Sequence, residues 1–157
     1  MCMRTRADEN HPGYRVLMEL LRTADTVWNA SLAFFERWDL SPSQFNVLNL
    51  LHDNPAGLSQ TDLSRQLIMH RSNVTGLVDR LEKRGLVARR EVAADRRAYS
   101  VVLTAAGTRL LRDILPRYYE EAARVWDRLS ARRAAGLIAD LQQVAKNAQQ
   151  IAAKLPR

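Results

Sequence analysis

The run Val74-Thr75-Gly76-Leu77-Val78-Asp79-Arg80-Leu81-Glu82-Lys83-Arg84-Gly85-Leu86-Val87-Ala88-Arg89-Arg90-Glu91-Val92 changes period partway along. Val74, Leu77, Val78 and Leu81 recur at steps of three and four, the spacing of one helical face. The periodicity predicts a helix over residues 72–84. Gly85 stands where a left-handed residue ends a helix. Residues 86–92 are then rich in β-formers, as are residues 98–103, and the pair predicts a hairpin. The polar stretch Ala94-Asp95-Arg96-Arg97 would join the strands. It holds no Asn-Gly pair, so a loop longer than two residues is expected.

Upstream, Ser59 would cap a short helix over residues 60–67 with Leu63 and Leu67 inward. Ser41-Pro42-Ser43-Gln44 has the form of a capping box, with Ser41 as N-cap, Pro42 at the first helical position and Gln44 reaching back. That helix would bury Phe45, Leu48 and Leu51 and stop at Asp53-Asn54-Pro55-Ala56-Gly57. Before it, residues 14–38 carry Leu17, Leu20, Leu21, Ala24, Val27, Trp28, Leu32 and Phe35 at helical spacing.

Downstream, Thr104 would cap a helix bearing Leu111, Leu115, Tyr118, Ala122, Val125 and Leu129. Pro116 lies inside it and predicts a kink. A final helix carries Leu137, Leu141, Val144, Ala148, Ile151 and Leu155. Two such stripes exceed what one small domain needs for its own core. They point to helices that pack on a second copy, a homodimer; an intramolecular helical hairpin is the other packing they allow.

Composition narrows the classes. With 46% hydrophobic and 26% charged residues, the chain of 157 has the balance of a globular domain, not of a disordered one. No apolar run reaches the ~20 residues that cross a bilayer, so no membrane association is expected. The start, Met1-Cys2-Met3-Arg4-Thr5-Arg6, leads into polar residues and not into an apolar signal core. A single cysteine excludes an intrachain disulfide, and a reducing cytoplasm fits best. The net charge is +7, unevenly spread: residues 1–59 hold five basic and seven acidic groups, residues 60–97 nine and five. A basic middle points to a located polyanion site, although an Arg-rich solvated surface gives the same count.

Helix, short helix, longer helix and hairpin in this order form a winged helix-turn-helix. The expected fold class is therefore mainly α with a small β-hairpin wing, flanked by N- and C-terminal dimerisation helices. The helix over 72–84 would be the recognition helix. Its outward face holds Ser72, Thr75, Gly76 and Asp79, flanked by Arg71, Asn73, Arg80 and Lys83. Small polar side chains let a helix enter a major groove about 12 Å wide. Arg71 suits a guanine edge and Asn73 an adenine edge; Ser72 and Thr75 suit bases or phosphates. Arg89, Arg90 and Arg96 read as phosphate contacts. At the hairpin tip, an arginine suits a narrow minor groove, and Asp95 would orient it through a charge-assisted pair.

Four segments together resemble the MarR family of bacterial winged-helix regulators. They are Leu58-Ser59-Gln60-Thr61-Asp62-Leu63, the stretch from Val74 to Val87, the wing Asp95-Arg96-Arg97-Ala98, and Leu103-Thr104-Ala105-Ala106-Gly107. The resemblance implies a homodimeric repressor of transcription on a pseudo-palindromic duplex operator, often released by a small lipophilic or aromatic ligand. It implies one MarR-like domain over 1–157, a DNA-binding lobe over 41–103, and a helical dimerisation region over 10–38 and 104–155. Arg97 matches the family's minor-groove arginine, and Ser72, Asn73 and Thr75 match groove-facing positions. Gly76 departs from the long polar side chain common there, and His70 from the usual Asp or Ser. For an effector pocket, Trp28, Phe35, Trp38, His52 and Trp126 are the candidates on the family's converging arms; core and dimer packing is the plainer role for each.

Other chemistries find little support. Cys2 lacks an obvious thiolate-stabilising neighbour. His11, His52 and His70 lack metal-ligand spacing, and no phosphate loop or nucleophile motif occurs. No enzyme, cofactor or metal is expected. The rivals are a helical protein-interaction module without an operator and a redox-responsive DNA-binding switch using Cys2.

Overall fold

A computed structural model describes residues 11–67, 71–92 and 95–155, with only the backbone at residues 71, 92 and 95–98. The chain forms two compact units, Met1–Arg112 and Asp113–Arg157.

In the first unit, helix α1 covers Pro12–Phe35; the His11 side chain accepts from the Gly13 N–H at its start. A 3-10 turn, Glu36–Trp38, finishes it, so the helix expected to residue 38 tightens over its last turn. Asp39 then takes a left-handed conformation, φ 52°, and the chain turns sharply. The Arg84 guanidinium holds this corner by donating to the Trp38 and Asp39 carbonyls. Helix α2, Pro42–Asp53, opens with the expected capping box: the Gln44 N–H donates to Ser41 Oγ, and the Ser41 N–H to Gln44 Oε1. Phe45, Leu48 and Leu51 are buried, and so is Val47. A single stripe does not predict Val47; α2 packs against α1, the helices Gln60–Leu67 and Arg71–Lys83 and the strand Asp95–Leu103, and buries a wider arc than a surface helix.

Strand β1 is only Leu58–Ser59. Helix α3 covers Gln60–Leu67, capped by Ser59, whose Oγ accepts from the Asp62 N–H and donates to Asp62 Oδ2. Helix α4, Arg71–Lys83, buries Val74, Leu77, Val78 and Leu81. It ends at Gly85, φ 69°, whose N–H donates to Glu82, while the Leu86 N–H reaches Leu81. Strands β2, Val87–Val92, and β3, Asp95–Leu103, pair antiparallel, and β1 adds to the far edge of β3, giving the order β1-β3-β2. The hairpin thus supplies two strands of a three-stranded sheet. β1 escapes a reading by periodicity because two residues have no period.

The wing differs from expectation. Val92 pairs with Asp95, so Asp95, Arg96 and Arg97 begin β3 and do not form the turn. The extra residues are absorbed inside the ladder: the register shifts after the Glu91–Tyr99 pair. The connection is short, and its residues 93 and 94 lie outside the described ones.

Helix α5, Ala105–Val125, starts where Thr104 Oγ1 accepts from the Gly107 N–H and donates to the Gly85 carbonyl. One hydroxyl thereby joins the end of α4 to the start of α5. The helix continues across Pro116. The missing N–H there would have served Arg112, where the first unit ends.

The second unit holds the rest of α5 and helix α6, Ala131–Lys154, capped by Ser130. Leu137, Leu141, Val144, Ile151 and Leu155 are exposed along α6, and Val125 and Trp126 at the end of α5. In the first unit, α1 likewise exposes Val16, Leu17, Leu21, Val27, Trp28 and Leu32. The expected α6 stripe and most of that on α1 therefore lie uncovered in the single chain, whereas along the stripe expected for α5 Leu111 is buried, Leu115, Tyr118, Ala122 and Leu129 are half-buried, and only Val125 is exposed.

Candidate nucleic-acid interface

Burial of Val74, Leu77, Val78 and Leu81 fixes which side of α4 faces out. Ser72, Asn73 and Asp79 are exposed, as the sequence predicts. Thr75 is half-buried, and its hydroxyl hydrogen-bonds Gln60 Oε1 of α3 at 3.2 Å. It ties the two helices of the helix-turn-helix together and does not simply project outward. Gln60 carries no motif signal of its own and is found only through this contact. A Cβ on Gly76 would meet nothing closer than Arg80 Nη1 at 3.8 Å, so this face of the helix is open. Arg71 begins α4, but its side chain is outside the described set.

Arg89, expected on phosphate, is engaged by protein. Its guanidinium pairs with both Asp79 and Glu82 of α4, and its own N–H donates to Glu82 Oε1 at 3.1 Å. The hydrogen bond it donates to Asp79 is the main reason its pKa is raised, against the pull of burial. The trio fastens β2 to the recognition helix. The spacing of Asp79 and Glu82, one helical turn apart, was the available signal. Arg90, the next residue along the strand, is exposed, as alternation requires. The wing residues Asp95, Arg96 and Arg97 are placed by backbone in β3, and their side chains lie outside the described residues.

The aromatic candidates for an effector pocket are scattered. Phe35 is core, stacked on Phe45 with ring centres 4.4 Å apart. Trp38 is half-buried against Phe34 at 5.3 Å. Trp28 and His52 are exposed in the first unit and Trp126 in the second. None of the five lines the cavity of about 620 Å³ where α1 meets α2, which is bounded by Asn29, Leu32, Glu36, Asp39, Leu40 and Gln44. Cys2 and His70 lie outside the described residues. Among those described, no three His, Cys, Asp or Glu side chains gather to hold a metal ion. No described helix is long and apolar enough to cross a membrane.

The comparisons agree with this geometry. The sequence profile of the MarR family matches residues 38–98. The HTH-type transcriptional repressor YetL of Bacillus subtilis is 33% identical over 98 residues, which cover 62% of this chain and 59% of YetL. The transcriptional repressor MprA of Escherichia coli K12 is 38% identical over 73 residues, 46% of this chain and 42% of MprA. The chain thus spans about half the length of these curated relatives. The crystal structure of CouR from Rhodococcus jostii RHA1, bound to p-coumaroyl-CoA, superposes with a TM-score of 0.76 at 26% identity, covering 90% of this chain and 96% of CouR. Over its winged lobe the chain is thus similar in sequence to the MarR family, and over most of its length it shares the fold of CouR.

Proposed function

We propose that the chain is a duplex-DNA-binding repressor of transcription, acting as a homodimer on a pseudo-palindromic operator and released from it by a small lipophilic or aromatic ligand. One observation carries the reading: α4 buries its whole apolar face and presents small polar side chains beside a wing. Such a helix fits a major groove, and two copies related by a two-fold axis fit half-sites roughly one helical turn apart. Residues 41–103 would form the DNA-binding lobe, and residues 10–38 and 104–155 would join the copies. The assignment as repressor follows the names of YetL and MprA. Its place of work would be the cytoplasm, and it would be no enzyme.

The effector would sit in the cavity where α1 meets α2. Arg84, at the end of the recognition helix, bonds the carbonyls of that same corner. A ligand that shifts the corner thereby shifts α4, and the coupling requires only that it prefer a spacing of the two helices that misfits DNA. The CouR structure, bound to p-coumaroyl-CoA, supports a ligand-responsive reading.

The test is a titration of duplex DNA over a salt series, with fragments selected by the protein from its own genome beside a scrambled duplex. Steeply salt-dependent binding with preference for the selected fragments is expected. Binding to neither duplex would leave the helical interaction module standing. Two variants separate the roles of the arginines. Arg97→Ala should weaken binding far more than Cys2→Ser; a peroxide-dependent loss of binding that Cys2→Ser abolishes would restore the redox switch. Arg89→Met should cost about 2 kcal/mol of stability through its lost charged hydrogen bonds. It should weaken binding with the salt slope unchanged, because Arg89 positions the wing. A slope lowered by removing Arg89 would return that residue to the phosphates.

A further inference from the structure

Between the start of α2 and the outward face of α4 lies a cleft of about 410 Å³. Leu77 forms its apolar floor, and Ser43, Ser72, Asn73 and Arg80 supply its polar walls. Ser41 borders it too, with its hydroxyl already accepting the Gln44 N–H as the helix cap. Among the described residues, no carboxylate lines the cleft, and Arg80 is its one charged group. Neighbouring Asp79, which would otherwise compete for a cation on this helix, is taken up by Arg89. The space exists because residue 76 has no side chain: the nearest atom to a Cβ there is Arg80 Nη1 at 3.8 Å. Arg80 therefore runs back along the helix beside Gly76, toward the serines.

We propose that this cleft seats one backbone phosphate of the bound duplex in each protomer. Arg80 supplies the counter-charge, the Ser43 hydroxyl a further donor, and the missing side chain at Gly76 keeps the seat open. The chemistry favours an anionic ligand: one guanidinium, several neutral donors and no opposing acid form a charge-assisted site for a phosphodiester. The site rests on the DNA-binding reading above and adds Arg80 and Ser43 to the groove-facing Ser72, Asn73 and Gly76 that share the cleft. It also gives Gly76 a role in binding, where a long polar side chain would have read a base.

The test uses the full chain and two duplexes, a genome-selected fragment and its scrambled counterpart, each titrated from low to high salt. Arg80→Gln should weaken binding to both duplexes alike and make the salt slope shallower by about two units per dimer, one for each lost phosphate contact. Arg80→Lys should keep the slope, and Lys146→Gln, which removes an equal charge on α6, should leave it unchanged. Gly76→Gln, whose side chain fills the cleft, should weaken binding, and combining it with Arg80→Gln should add little. If the wild type binds steeply while Arg80→Gln keeps both affinity and slope, the phosphate seat is wrong and the regulator reading survives. A loss confined to the selected fragment would make Arg80 a base reader and overturn the proposal. If the wild type binds no duplex, both readings fall.

Discussion

A chain carrying Leu141→Glu and Val144→Glu is expected to run as a monomer and to lose about a hundredfold or more in affinity for its selected duplex. Both residues lie on the stripe of α6 that the single chain leaves exposed, together with Leu137, Ile151 and Leu155. Apolar surface on that scale marks an interface in a folded protein. Burying two unpaired carboxylates in it costs several kcal/mol, more than an ordinary interface tolerates. The loss of DNA affinity follows from geometry. One lobe holding DNA presents the second at millimolar effective concentration, which is worth about 10²–10⁴ in avidity. Light scattering reads the mass and the duplex titration the affinity. Helicity and the melting of the winged lobe should stay near wild type, since neither residue belongs to its core. A variant that keeps the two-chain mass would remove α6 from the interface. A monomer that binds as tightly as the dimer would remove the need for two half-sites.

Much of this fold is written locally. The capping box at Ser41, the stop at Gly85 and the Thr104 cap each depend on residues within one turn, and each is present. The core face of α4 is equally plain, because a three-four spacing leaves little choice of side. What sequence hides is pairing between distant segments. β1 exists only because Leu58 and Ser59 meet Val101 and Ser100, some forty residues on. The start of β3 was misread for a related reason. Asp95-Arg96-Arg97 has the composition of a turn, yet pairing of Val92 with Asp95 draws it into the ladder and moves the irregularity inward.

The interface divides along the same line. Ser72 and Asn73 are exposed because the apolar face of α4 leaves them nowhere else to go. Thr75 and Arg89 look alike to a reader of composition, one small hydroxyl and one cation in a basic stretch. Their partners decide otherwise: Gln60 fifteen residues upstream claims the first, Asp79 and Glu82 the second. The effector candidates fared least well, because a preference for large aromatic residues does not separate a packed ring from a lining one. Phe35 stacks in the core, whereas the cavity at the α1–α2 corner is bounded by Leu32 and Leu40 among polar groups, with no aromatic ring in its wall.

Two glycines on helices should answer the same substitution with opposite signs. A Cβ on Gly107 would lie 2.1 Å from the Leu86 carbonyl oxygen and 3.1 Å from Leu103 Cδ2. That carbonyl accepts the Thr104 N–H, and Leu86 in turn donates to Leu81 to close the end of α4. Gly107→Ala must therefore push backbone away, strain the start of α5 and loosen the stop of the recognition helix together. Overpacking of a tight site costs about 1–3 kcal/mol, and a buried carbonyl or N–H left unpaired a similar amount. Against a total stability of about 5–15 kcal/mol, the melting temperature should fall by about 10 °C. Gly136 lies inside α6 with nothing within 4 Å of its Cβ position. There, Gly136→Ala removes only the entropic cost of glycine in a helix and should stabilise by about 0.5–1 kcal/mol. Calorimetry of the two variants beside the wild type measures both. Because the Leu86 carbonyl sits between α4 and β2, Gly107→Ala should also weaken duplex binding at temperatures well below its melting point, while Gly136→Ala should not. Equal melting temperatures for the two variants would mean that α5 can draw back from Leu86 at no cost. The close packing of the Leu103-Thr104-Ala105-Ala106-Gly107 turn against the end of the recognition helix would then not be what fixes the wing.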